Sequence, residues 1–118
     1  MSKIGGITDL IEAGIKAEGI RQKAIAGNVA NMETPGYRRF DIKFDQILEK
    51  ALASGGDIDS EQLEPEIFQP LNTSLNDKGN DVNLEIEIGQ MVENSIKHKA
   101  YTRLLAKKYR QIEMALGD

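Results

Sequence analysis

Asn28-Val29-Ala30-Asn31-Met32-Glu33-Thr34-Pro35-Gly36-Tyr37 is the stretch on which the reading of this chain turns. It closes an amphipathic segment near the N-terminus, while a second and longer amphipathic segment fills the C-terminal end. Pro35 disfavours the α region at Thr34, and Pro-Gly at the two central positions fits a type II turn. A helix stop needs no more than that. The two asparagines and Tyr37 are additional and ask for a further role.

Upstream of the turn, residues 8–31 read as a helix, with Thr8 or Asp9 as its cap. Leu10, Ala13, Ala17, Ile20 and Ala24 line one side at helical spacing, and Ile11, Ile15, Ile25 and Val29 widen the stripe. An apolar arc this broad exceeds what one neighbouring helix covers. Gly14, Gly19 and Gly27 each cost about 1 kcal/mol against Ala. They also allow another helix to approach closely.

Downstream, Phe40, Ile42 and Phe44 alternate with polar residues as a short extended piece. Phe44, Ile47, Leu48, Ala51 and Leu52 then form a helical stripe that stops at Ser54-Gly55-Gly56. Asp57 to Glu66 is acidic and flanked by Gly and Pro, which reads as a mobile loop. Ile67, Phe68 and Leu71 suggest a second extended contact.

The C-terminal segment, residues 84–116, reads as a helix about 50 Å long at ~1.5 Å per residue. Asp81 or Asn83 caps it, and Glu85 and Glu87 suit its positive dipole end. Alternating steps of four and three give Leu84, Ile88, Met91, Ser95, His98, Thr102, Leu105, Tyr109, Ile112 and Leu116, a heptad seam with a polar centre. Val92, Ile96, Tyr101 and Leu104 lie off that seam. One hairpin leaves apolar helix surface wet, so the terminal helices are expected to pack against those of other copies.

Composition agrees with a thin helical molecule. The chain has 118 residues, is 5% aromatic without Trp, and carries a net charge of −4. That length suits a single domain, 1–118. The charge gives no general drive toward nucleic acid. With no Cys, disulfides and thiolate chemistry are excluded. No apolar run approaches the ~18 residues of a membrane span, and Asp9 and Glu12 interrupt any signal-peptide core.

Candidate chemistry is thin. His98 is the single histidine, set among basic residues with no second His or Cys to share a metal. Ser95 beside it lacks an orienting carboxylate and an oxyanion donor. Asp77, Gly79, Asp81 and Asn83 fail the EF-hand pattern, because glycine stands where an oxygen ligand belongs. Lys97, Lys99, Arg103, Lys107, Lys108 and Arg110 form a basic stretch that suits the C-terminal half of a helix, or the acidic loop of a neighbour. No Gly-rich phosphate loop follows a strand. The expectation is a protein without catalytic, cofactor or metal site.

The motif resembles the signature N-(I/V)-A-N-x-x-T-P-G-(Y/F) of the bacterial flagellar rod and hook axial proteins, matched here by Asn28, Val29, Ala30, Asn31, Thr34, Pro35, Gly36 and Tyr37. Phe40-Asp41-Ile42-Lys43-Phe44 is similar to the family's segment after the turn. Asn80-Asp81-Val82-Asn83-Leu84-Glu85-Ile86-Glu87 is similar to its lead into the C-terminal helix. Short length, and the run from Glu93-Asn94 through Tyr101 and Tyr109, most resemble the proximal rod members of the basal body.

The resemblance implies a mainly α fold. Two long terminal helices form an antiparallel coiled-coil-like inner domain, with a short helix and loops over 32–83. It implies a structural subunit exported without a cleaved signal by the flagellar type III system, and located in the periplasmic rod of the basal body. Its implied partners are itself, other rod proteins, the rod adaptor protein FliE and the export gate, with no nucleic acid or small-molecule ligand. Leu10, Ala17, Ile20, Ala24, Leu84, Ile88, Met91, Leu105, Tyr109, Ile112 and Leu116 are the expected assembly interface. The alternatives in view are the sister proximal rod protein and a small coiled-coil adaptor or secretion chaperone.

Overall fold

Two long helices dominate the molecule because each terminal segment carries apolar residues at helical spacing and no internal proline. The computed structural model describes residues 6–55 and 63–117. In chain order it shows α1 (Ile7–Ala30), β1 (Asp41–Lys43), α2 (Asp45–Ala53), β2 (Glu66–Phe68) and α3 (Leu84–Leu116). The fold is mainly α, with α1 and α3 packed antiparallel. Tyr109 near the end of α3 meets Glu12 near the start of α1, and Glu87 at the other end meets Asn28. The molecule extends 64 Å along its long axis and is 20–25 Å across.

The apolar stripe of α1 forms the core as spaced, but its partner differs from the one expected. Leu10 and Ala17 are buried with Ile42, Phe44, Ala51 and Leu63, and Ala13, Ile20, Ala24, Ile47 and Leu48 pack around them. Leu10 and Ala17 thus lie in one cluster with residues of α2 and β1 and with Leu63, while α3 packs along the neighbouring side of α1. Phe44, 1% exposed, anchors this cluster and contributes about 1.5–3 kcal/mol by its burial. β1 and β2 form an antiparallel pair, with Ile42 opposite Ile67, so the extended piece read from the alternation and the second extended contact are both present.

Two capping expectations are settled by geometry. α1 begins at Ile7, ahead of Thr8 and Asp9, and its N-cap Gly6 makes no side-chain cap. Thr8 and Asp9 therefore lie within the first turn, where Asp9 suits the dipole. At α3, Asn83 is the cap and accepts from the Ile86 N–H at 3.2 Å. Asp81 turns inward instead. Most of the acidic stretch expected to be a mobile loop, residues 57–62, lies outside the described residues. At its end Leu63 is buried and Glu64 pairs with Lys16 at 2.8 Å.

The heptad seam of α3 is rotated from its expected register. The side facing α1 carries Glu87, Asn94 and Tyr101, seven residues apart. Glu87 and Asn94 are buried, whereas Leu84, Ile88, Tyr109, Ile112 and Leu116 are exposed. Tyr101, placed off the seam by its spacing, lies flat over Gly14, where a Cβ would stand 2.6 Å from the ring. The reason is on α1. The side next to its apolar stripe sets Gly14, Glu18 and Asn28 among the buried Ile11 and Ile25. Buried Glu18 and Asn28 need hydrogen-bonding partners, which Asn94 and Glu87 supply and an aliphatic seam would not.

Candidate assembly site

The motif is built as a joint between the end of α1 and the start of α3. The chain leaves α1 through a turn in which Tyr37 N–H donates to Thr34 O at 3.2 Å. Gly36 sits at φ 76°, the value a type II turn requires at that position and one that side-chain-bearing residues rarely adopt. Asn31 holds its own helix end, donating to Gly27 O at 2.8 Å and accepting from the Thr34 hydroxyl at 3.1 Å.

Asn28 does more than end a helix. It is fully buried. Its Oδ1 accepts from Phe40 N–H at 2.9 Å and from the Tyr37 hydroxyl at 3.2 Å. Its Nδ2 donates to Phe40 O at 2.8 Å and to Glu87 Oε1 at 2.7 Å. One side chain thus ties the helix to the returning chain and to α3. Burial, then the nearby Glu87 and Asp81 charges, push the Tyr37 phenol up, which keeps its proton in place as a donor. Its ring meets Phe40 edge-on at 6.1 Å.

The lead into α3 closes the joint from the other side. Asn80 Nδ2 donates to Asn31 O at 2.9 Å and to Thr34 O at 2.8 Å, and Gly36 N–H donates to Lys78 O at 2.9 Å. Asp81, 2% exposed, accepts from the Arg39 N–H, from Arg38 Nε at 2.9 Å and from the Thr73 hydroxyl at 3.1 Å. Burial alone would raise the Asp81 carboxyl. The three hydrogen bonds and the Arg38 charge outweigh it and hold the group below the ordinary carboxylate range.

Arg39, 4% exposed, bridges to Glu87 Oε1 at 3.0 Å and to Gln90 at 3.1 Å. Further along, Asn94 donates to Glu18 O at 2.7 Å, and Arg21 donates to Glu18 Oε1 at 3.1 Å. Lys97 reaches Asp45 on α2 at 3.2 Å. Polar contacts thus recur along this side of α3 from Glu87 to Lys97, and those made directly to α1 are Glu87 with Asn28 and Asn94 with Glu18.

Of the motif residues, Asn28, Asn31, Thr34, Gly36 and Tyr37 meet in this joint, while Ala30 and Pro35 are exposed and shape the backbone. The expected assembly residues divide. Leu10 and Ala17 are buried in the chain's own core, with Ile20 and Ala24 against it. Leu84, Ile88, Tyr109, Ile112 and Leu116 are exposed, and Met91 and Leu105 are half-buried. Arg39, Asn80, Asp81, Glu87, Asn94, Glu18 and Tyr101 were not singled out as a site. The signal was present as polar residues recurring every seven positions (Glu87, Asn94, Tyr101), hidden by the more conspicuous aliphatic seam.

The joint offers little for catalysis. Its carboxylates are tied to arginines and amides, and His98 is exposed on the far part of α3. Among the described residues no group of His, Asp or Glu converges to hold a metal ion, and no helix is long and apolar enough to cross a membrane. An arrangement whose buried polar groups tie two long helices together suits a structural protein.

Comparison with known proteins defines that class further. Residues 12–38, most of α1 and the whole motif, match the family model for flagella basal body rod proteins. The chain is 30% identical over 99 residues to the flagellar basal body rod protein FlgB of Proteus mirabilis, covering 68% of this chain and 71% of that one. It is 24% identical over 128 residues to FlgB of Bacillus subtilis, covering 98% and 97%, and 28% identical over 96 residues to FlgB of Escherichia coli, covering 67% and 70%. The chain belongs to the flagellar basal body rod protein family. Its function is that of a structural subunit of the flagellar basal-body rod.

Proposed function

We propose that this subunit enters the proximal, periplasmic part of the rod after export by the flagellar type III apparatus without a cleaved signal. There it polymerises through its terminal helices, beside other rod proteins, the adaptor FliE and the export gate. The observation that carries the assembly reading is the exposed apolar surface of α3, above all Ile112, Met114 and Leu116 at 47%, 75% and 82% exposure. Such surface on a helix end asks for a neighbour. On this reading the joint around Asn28 sets the angle between the two helices, and the free faces of α3 meet adjoining subunits. The role is structural, without catalysis.

Complementation tests it. In a strain lacking this protein, the wild-type chain restores motility, and Pro35→Ala/Gly36→Ala expresses normally but leaves the basal body without a rod. Full motility from the double variant would refute the joint's part in assembly.

A further inference from the structure

We propose that the outward face of α3 is a docking surface for the middle segment, residues 57–75, of a second copy of this chain. The proposal rests on the rod-subunit reading only in requiring a neighbouring copy.

The charges of the chain are segregated. Residues 94–112 hold six Lys and Arg, one His and no acid, while residues 51–77 hold six Asp and Glu and no cation. Lys97 pairs with Asp45 and Glu93. Among the described residues, Lys99, Arg103, Lys107 and Arg110 have no ion-pair partner, and all four are exposed.

At 3.6 residues per turn these four share one line along the helix, half a turn from the Glu87–Asn94–Tyr101 side that faces α1. The same line continues toward the start of α3 as Ile88, Val92 and Ile96, at 54%, 55% and 64% exposure. The outward face is therefore apolar first and basic second.

The middle segment has the reverse order. Asp57, Asp59, Glu61, Glu64 and Glu66 come first. Ile67, Phe68, Leu71 and Leu75 follow, all exposed, at 62%, 40%, 59% and 52%. Laid antiparallel, the acids other than Glu64, which Lys16 of its own chain holds, meet the basic line, and apolar meets apolar. The occupant comes from another copy, because Leu63 is buried against α1 and Glu64 is tied to Lys16 on α1, whereas the basic line points away from α1.

The absence of native Cys makes cross-linking a clean test. Full-length Asp59→Cys and Arg103→Cys chains are mixed under mild oxidant. The 59–103 disulfide dimer is expected to dominate both like-with-like dimers. It is expected to be lost at about 1 M salt, where the screening length is about 3 Å, and lost with Lys99→Glu/Lys107→Glu on the Arg103→Cys chain. Asp57→Lys/Glu61→Lys on the other chain should restore it. A statistical mixture, or no mixed dimer, overturns the proposal, and does so without touching the rod reading if the parent chain still restores motility. An internal 59–103 link in a monomeric double variant also overturns it. So does a charge reversal on α3 that leaves cross-linking intact but abolishes binding to phosphatidylserine vesicles, which would assign the face to a membrane.

Discussion

The two ends of the α1–α3 pair are built differently. At the joint end, Asn28, Arg39, Asn80, Asp81 and Glu87 are all buried and bonded across three chain segments. At the other end, among the described residues of α3 beyond Tyr101, Leu105 and Lys108 are half-buried and the rest are exposed, and Tyr109 donates to the exposed Glu12 of α1 at 3.0 Å. Buried polar networks fix one geometry, because a slip leaves charges unpaired. Exposed apolar helix ends gain their stability from elsewhere. The difference sets a joint held by buried polar bonds against a helix end whose apolar side chains stay exposed, the surface we propose for assembly.

The strongest way to break that contrast is Arg39→Ala. It strands Glu87, 0% exposed, and loss of one partner of a buried pair costs about 3–5 kcal/mol. Denaturant unfolding of the isolated chain should show most of its stability gone.

Gly14→Ala comes next. The added methyl stands 2.6 Å from the Tyr101 ring, and such overpacking costs about 1–3 kcal/mol. Gly19→Ala on the same helix meets nothing within 4 Å and should stabilise by up to about 1 kcal/mol. Opposite signs in a melting experiment would place the ring–glycine contact where the structure has it.

Acid should act on the joint. Because the Asp81 carboxyl is held low in the fold, its contribution is complete above the unfolded value near pH 3.9 and lost as pH falls through the folded one. Asp81→Asn should flatten the fall in stability below about pH 4. An unchanged acid limb would contradict the bonding described for Asp81.

The smallest effect on the isolated chain sharpens the comparison most. Leu116→Ala, at 82% exposure, should alter monomer stability by less than about 0.5 kcal/mol, yet reduce complementation of motility.

Much of this was legible in the sequence. Periodicity placed the terminal helices to within a residue, though the cap of α1 is Gly6 and not Thr8 or Asp9, Pro35-Gly36 announced its turn, and the alternation at Phe40–Phe44 marked a strand. The α1 stripe identified its core residues but not their partner, since apolar spacing says which side is buried and not by what. The side of α3 that meets α1 within the chain was not legible, for a physical reason. Counting apolar residues finds the side that avoids water, whereas α3 meets α1 through Glu87, Asn94 and Tyr101, answered by Asn28, Glu18 and Gly14. A polar interface becomes visible only when both of its halves are seen together.

Amide hydrogen exchange on the isolated full-length chain tests the central claim most directly. The account predicts strong protection over residues 25–31 and 87–101, falling away through 104–116, because local opening follows the density of buried contacts. Protection that is uniform along α3, or greatest at its C-terminal end, would contradict a subunit whose angle is fixed at the joint and whose far end is completed by its neighbours.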